Sequence, residues 1–432
     1  MRHPVLLTTA LLFAAGPALA LEAVTYAGTV GGKNVVLELA VSPEGVPQAG
    51  RFAELAKGFD VPLHAAEGSG ALSDGAIRLR EEKPCTVELC GNPREGEETK
   101  PAFGAEWVLE SDGENVVLSG TRRDLATGET TPVTLDRKGM RDLPDAIPPL
   151  EALDPHVVLY SGSPGAALTP ENFPYDFLKQ DVPLTPGPDT AVGAGKVRMD
   201  EDPRTKLAFP IVTALDGMDP GALNEGLAAL KLQSALPSFG CLSAVYHGFG
   251  WFNEDAQGGD GYEGGGTSVT VDHLSPRLMA LTESGSFWCG GAHPSNFSEH
   301  SLLDARTGQP VIPETFLRGW QATGRDGEPV DPATYDNSDY SLVQGPNEEL
   351  VAFVRERRRK QFDAEQEESC FYDELVATNL AVTVKGESLV FTLQDLPHAI
   401  AACKEDLLEI PLADARPLLT DEAAAHFPVL DR

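Results

Sequence analysis

Bases are scarce in this chain: 33 Lys and Arg face 66 Asp and Glu, a formal net charge of -33 at pH 7. That balance argues against nucleic acid, whose phosphates need a basic surface, and against an anionic membrane face. It leaves cations and basic proteins as the partners the field attracts. Several motifs are missing too. No G-x-S-x-G occurs, so the sharp turn that presents a hydrolase serine is unsupported. Neither H-E-x-x-H nor H-x-x-E-H occurs; His293, Glu299 and His300 come nearest, with six residues between the histidines. No two cysteines stand at C-x-x-C spacing, which disfavours zinc, and D-x-[DN]-x-[DN]-G, the opening of an EF-hand loop, is absent. Past the first twenty residues no apolar run approaches the length of a spanning helix.

What is present begins with "MRHPVLLTTALLFAAGPALA". A basic start at Arg2, an apolar run from Val5 to Ala15, Gly16-Pro17 and the small residues Ala18 and Ala20 predict a secretory signal peptide cleaved after Ala20. No lipobox cysteine follows it. The expectation is a periplasmic or secreted protein without a membrane anchor after cleavage. In an oxidising compartment the six cysteines, Cys85, Cys90, Cys241, Cys289, Cys370 and Cys403, predict three disulfides. Sequence order favours Cys85–Cys90, Cys241–Cys289 and Cys370–Cys403.

The chain length of 432 residues suggests two folded domains, and 43 glycines with 34 prolines favour turn-rich β structure. From 21 to about 140 the pattern is β. "NVVLELAV" places Val35, Leu37, Leu39 and Val41 on one face. Gly31-Gly32 and Asp112-Gly113 read as hairpin turns. This predicts an antiparallel sandwich or barrel. Residues 141–195, rich in Pro, Gly and acid, read as a linker with short docked pieces. From 196 to 425 the pattern becomes α+β. "LAFPIV" reads as a strand, "DPGALNEGLAALKLQSAL" as a helix, and "CLSAVYHGFGWF" as a return to strand. "NEELVAFVRERRRKQFDAEQEESCFYDEL" reads as the one long helix, with Asn347 as its N-cap. The fold class expected is therefore α+β: an N-terminal antiparallel β domain, then a domain with an antiparallel sheet and one long helix.

Three segments bear on chemistry. "FWCGGAHPSN" sets Gly290, Gly291, Ala292, His293 and Pro294 in a row. Its bland reading is a turn, the glycines supplying unusual backbone angles and Pro294 stiffening the exit. Its sharp reading makes His293 catalytic, which would need an acid and a nucleophile or metal beside it. The loop 253–266 carries Glu254, Asp255, Asp260 and Glu263 among glycines. That composition suits calcium but not the EF-hand spacing, and a solvated acidic loop is the bland alternative. "RERRRK", Arg355 to Lys360, has two readings: contact with a polyanion, or, as the bland one, internal ion pairs with Glu356 and Asp363 among the partners.

The second domain resembles the DUF3298 family, often found with a DUF4163 region. "LAFPIVTALDGMDPGALNEGLAAL", "LSPRLMALTESGSFWCGGAHPSN", "HSLLDARTGQPVIPETFL" and "LPHAIAACKEDLLEIPLADARPLL" carry the likeness, spanning about 200 to 420. The resemblance implies an exported bacterial envelope domain with G-G-A-H as a signature turn between strands. It implies no catalytic role for His293. One family member type is a membrane-bound anti-sigma factor whose exported domain binds lysozyme; this chain lacks the spanning helix and the sigma-binding segment. The expected function is thus a non-enzymatic periplasmic binding protein of the cell envelope. Its partner would be a basic protein such as a lysozyme, or a cell-wall glycan. The alternative is an envelope hydrolase acting on wall material with His293 at its site. No cofactor and no metal are expected.

Overall fold

A computed structural model describes residues 21–84, 101–144, 147–160, 168–246, 266–287, 295–324, 328–330, 343–358, 370–394, 396, 400, 403–427 and 430. The chain divides into two compact units, Met1–Asp181 with Tyr246–Gly248, and Val182–Val245 with Phe249–Arg432. Among the described residues no helix is long and apolar enough to cross a membrane.

Eight strands build the first unit: β1 (Glu22–Val30), β2 (Lys33–Val41), β3 (Pro47–Glu54), β4 (Val61–Ala65), β5 (Ile77–Glu82), β6 (Phe103–Ser111), β7 (Val117–Asp124) and β8 (Thr130–Asp142). Each pairs antiparallel with its neighbour in sequence. β8 then returns to β1, with Val30 opposite Val133 and Glu22 opposite Asp142, so the sheet closes into a barrel. Closure removes the unpaired edges that an open sheet would expose. The period-two pattern decides which side chains enter: Val35, Leu37, Leu39 and Val41 join Trp107, Leu109 and Leu135 in the interior. Gly31 and Gly32, at φ +60° and +81°, form the two-residue turn between β1 and β2. Gly28 and Gly120 serve another need. A Cβ at either position would collide with a carbonyl oxygen of the adjacent strand, that of Thr134 or Val108.

Within 141–195, read as a linker with short docked pieces, the described residues include short helices and a strand. Leu143, Ala152 and Leu153 pack on Ala23 and Ala40 of the barrel's outer wall. Helix α1 (Pro155–Tyr160) follows, and α2 (Pro174–Lys179) lays Tyr175 on Val36 and Ala53. Apolar outward residues on β1, β2 and β3 need this cover. The rest of the stretch opens the second unit as β9 (Thr185–Val192). Pro186 and Pro188 fit there because β9 is an edge strand, where a missing N–H breaks no ladder.

The second unit continues with β10 (Gly195–Glu201), β11 (Ala208–Leu215), α3 (Gly221–Tyr246, its last residue Tyr246 counted with the first unit), β12 (Thr267–Leu274), β13 (Leu278–Phe287), β14 (Ser295–Asp304) and β15 (Pro310–Val311). After these come β16 (Trp320–Thr323), β17 (Pro329–Val330), β18 (Val343–Pro346), α4 (Glu348–Arg358), α5 (Tyr372–Thr378), β19 (Leu380–Lys385), β20 (Ser388–Leu393), β21 (Asp406–Pro411), α6 (Leu412–Ala415) and α7 (Asp421–Ala424). The sheet β12–β15 is the middle layer. Its Val269, Met279, Leu281 and Leu303 pack against Leu223, Leu227, Ala235 and Phe239 of α3. On the other face, Leu278, Ala280 and Leu302 meet Val382, Val384 and Phe391 of the sheet β19–β21. Asn224 fastens α3 to β11. Its Oδ1 accepts from Val212 N–H at 2.9 Å, and its Nδ2 donates to Val212 C=O at 3.0 Å.

The helix expectations need correction. α3 runs through Pro237 to Tyr246, so "CLSAVY" is helical and not a strand. Proline frees the carbonyl four residues back. Here that carbonyl belongs to Gln233, which like Pro237 is exposed, so water can take the lost bond. The segment from Asn347 is not one helix. α4 ends its described part at Arg358, and Phe371 at φ +51° separates it from α5. Asn347 does cap α4, its Oδ1 accepting from Leu350 N–H at 2.9 Å. Arg355 and Arg358 are paired, but with Asp373 of α5 rather than with Glu356, while Asp363 lies outside the described residues.

Candidate functional site

One end of the barrel opens into a cavity of about 420 Å³. That volume lies in the range of small-molecule sites, roughly 300–1,000 Å³. Its apolar wall comes from Val30, Val35, Phe52, Phe59 and Val61. β1, β2, β3 and β4 place Val30, Val35, Phe52 and Val61 near the ends where their hairpins turn, and Phe59 stands in the loop between β3 and β4. Deeper, Phe52 meets Trp107 edge-on at 5.0 Å between ring centroids.

A charged pair stands among these rings. Arg122 donates from Nε to Glu81 Oε2 at 2.7 Å and from Nη2 to Oε1 at 2.7 Å. Trp107 Nε1–H donates to the same Oε2 at 2.8 Å. Strand alternation explains the placement: Leu79 and Glu81 on β5, and Leu118 with Arg122 on β7, fall on the inward side. The hydrogen bonds to Glu81 hold the Arg122 guanidinium above its ordinary pKa, so it stays charged. At the rim, Lys33 and Lys57 share Glu54 at 3.2 and 3.3 Å. Tyr246, part of this unit, stacks on Phe59 at 5.0 Å, and its hydroxyl donates to the Glu82 carbonyl at 2.7 Å.

A second charged group lies on the barrel's outer wall, and it is packed shut. Arg51 reaches Glu38 at 2.8 Å, Asp176 at 3.0 Å and Asp60 at 3.2 Å, with its guanidinium 3.9 Å over the Tyr175 ring. Arg141 reaches Glu38 at 3.1 Å and Lys179 reaches Asp60 at 2.8 Å. Three acids face three bases, so the charge cancels. Burial pushes the Asp60 carboxyl up, but Lys179 and Arg51 outweigh it and hold the group below its usual range. At Asp176 burial wins and the carboxyl is raised. This network holds α2 on the barrel.

In the second unit a polar row crosses the middle sheet. Thr282 donates to Asp272 and receives Nδ1–H of His300 at 2.8 Å. His273 Nδ1–H donates to Gly386 C=O at 2.6 Å, tying the β19–β20 turn to β12. Burial, first, lowers both histidines' pKa. Thr282's hydroxyl stands between Asp272 and His300, which is not the acid–base–nucleophile order of a triad.

Gly290, Gly291, Ala292, His293 and Pro294 lie outside the described residues, as does the acidic loop 253–265. The strands on either side are described: β13 and β14 pair antiparallel from Leu278 opposite Asp304 to Phe287 opposite Ser295. Cys370–Cys403 forms the disulfide expected of it. Cys241 is also disulfide-bonded, while Cys85, Cys90 and Cys289 lie outside the described residues. Glu81, Arg122 and Trp107 carried no sequence signal as a site. An inward Glu and an inward Arg on alternating strands were the only clue, and β5 and β7 pair with β6 but not with each other. No family model matches this chain, and no curated protein matches it.

Proposed function

We propose that this chain is an exported, non-enzymatic binding protein of the bacterial cell envelope, and that its barrel mouth holds a small ligand. The cavity at the open end of the closed eight-stranded barrel carries this reading. Barrels of eight strands have room for packed side chains or one small ligand. The charged groups there favour binding over proton transfer, because Glu81 is committed to Arg122 and Trp107. The test is fluorescence titration with N-phenyl-1-naphthylamine, an uncharged dye that brightens in apolar surroundings. Saturable binding that is lost in Val61→Trp, whose side chain fills the cavity, is expected. Dye that ignores that substitution would overturn the reading.

The net charge of -33 favours a further partner, a basic protein such as a lysozyme. The DUF3298 resemblance supports the same expectation, with wall glycan as the alternative. Calorimetry against lysozyme and a basic control protein, at low and high salt, separates recognition from charge attraction. Binding that survives salt and is absent with the control supports recognition. Binding shared by the control, or erased by salt, removes lysozyme from the proposal.

A further inference from the structure

We infer that the barrel mouth takes an uncharged amphiphile whose carbonyl oxygen accepts from Arg122 Nη1. The inference rests on reading the barrel as a binding module. Three observations define this ligand class.

The first is a donor held ready. Arg122 spends Nε and Nη2 on Glu81, and Trp107 fixes Glu81 from behind. Nη1, at the other edge of the planar guanidinium, has no protein partner among the described residues, and Arg122 lines the cavity. A guanidinium donates and never accepts, so the ligand atom facing it is an acceptor. Because the group is already oriented, an oxygen arriving there meets little ordering cost.

The second is the wall. Val30, Val35, Phe52, Phe59 and Val61 surround the site with apolar surface. A ligand that fills it carries an alkyl or ring portion next to the acceptor.

The third is charge, which sorts the possible acceptors. The bases on the lining are Lys33, Lys57 and Arg122. The acids are Glu54, Glu81, Asp124 and Glu129. Acids therefore exceed bases by one (4 − 3 = 1), in a chain of net charge -33. Asp124 stays ionised. The backbone N–H and hydroxyl of Thr127 lead the contacts that hold it below its usual range. A carboxylate ligand would bring another negative charge into this surplus and compete with Glu81 for Arg122. A cation would point a donor at Arg122, which can accept nothing. An amide or ester carbonyl satisfies Nη1 and leaves the Glu81–Arg122 pair intact.

The experiment compares three ligands that share one chain and differ at the head: decanamide, decanoate and decylamine. Each is titrated calorimetrically into the full protein. Decanamide is expected to bind saturably, one per chain, at least tenfold tighter than the other two. Arg122→Lys keeps a positive charge opposite Glu81 but removes the Nη1 donor; it should narrow decanamide's advantage to within a few fold. Val61→Trp should abolish binding of all three. The comparison on the unsubstituted protein decides the matter even where a variant folds poorly. Equal affinities, or decanoate as the tightest, with Val61→Trp still blocking, would overturn the head-group inference while the binding reading stands. If none of the three binds and the uncharged dye does, the inference again falls alone. If the dye also fails, both fall.

Discussion

Replacing Arg51 by Met tests whether the charge network on the outer wall holds α2 to the barrel. The methionine keeps much of the side chain's length and apolar contact but removes the base. Glu38 is fully buried and Asp176 is 1% exposed, so both lose their closest positive partner without gaining water. Arg141 still reaches Glu38 and Lys179 still reaches Asp60, which caps the damage. Removing one partner of a buried ion pair costs about 3–5 kcal/mol, because the other charge stays buried and uncompensated. At about 1.4 kcal/mol per factor of ten, that raises the opening equilibrium by roughly two to four powers of ten. Two units make a single unfolding free energy ill-defined, so the assay should be local. Hydrogen-exchange mass spectrometry on peptides covering 173–180 reads the release of α2 directly. Arg51→Lys, which keeps the charge but not the forked geometry, should fall between the two. Exchange in Arg51→Met at the unsubstituted rate would show that apolar packing of Tyr175 alone holds α2, and the electrostatic argument would be wrong.

Other expectations follow from the same reasoning. His273 and His300 have pKa values lowered in the folded state. Stability they contribute is therefore full above the unfolded value of about 6.5 and is lost as pH falls through their depressed folded values. The melting temperature of the second unit should decline on acidification through that window, and His273→Asn, whose amide can still donate to Gly386, should soften the decline. A flat profile in the unsubstituted protein would refute this. The Cys370–Cys403 bridge closes a sequence separation of 33, so its removal by paired Cys→Ser substitution should cost about 3–4 kcal/mol by loop entropy. Calorimetric melting checks it. Trp107→Phe deletes one hydrogen bond to the ionised Glu81 and should destabilise the barrel by about 1.5–3 kcal/mol, read from urea denaturation followed by circular dichroism. Gly120→Ala should destabilise more than Gly113→Ala, because only at Gly120 does a Cβ strike the neighbouring strand's backbone; melting of the two variants compares them.

Local sequence patterns determined a great deal. The alternation in "NVVLELAV" picked out the four residues that β2 turns inward, and Gly31-Gly32 and Asp112-Gly113 marked hairpins that form. Asn347 announced a cap, and pairing the cysteines in chain order made Cys370–Cys403 legible. These rest on interactions between residues close in the chain, or on a choice of face, and such choices are written in a short window of residue types.

What tertiary structure decided are matters no window contains. Closure of β8 onto β1 joins residues more than a hundred positions apart, and only that pairing turns a run of hairpins into a barrel with a mouth. The helix read as ending with Leu236 runs on through Pro237, because exposure of Gln233 and Pro237 lets water take the bond that proline gives up. Proline and acid marked 141–195 as a linker with short docked pieces, but where its pieces dock was decided by the apolar outer wall of β1–β3 and by a compensating set of bases. The candidate site depended on the same kind of distance. Glu81, Trp107 and Arg122 are ordinary strand residues until β5, β6 and β7 curve into one wall and point them into a shared interior, where a paired Arg keeps one edge free.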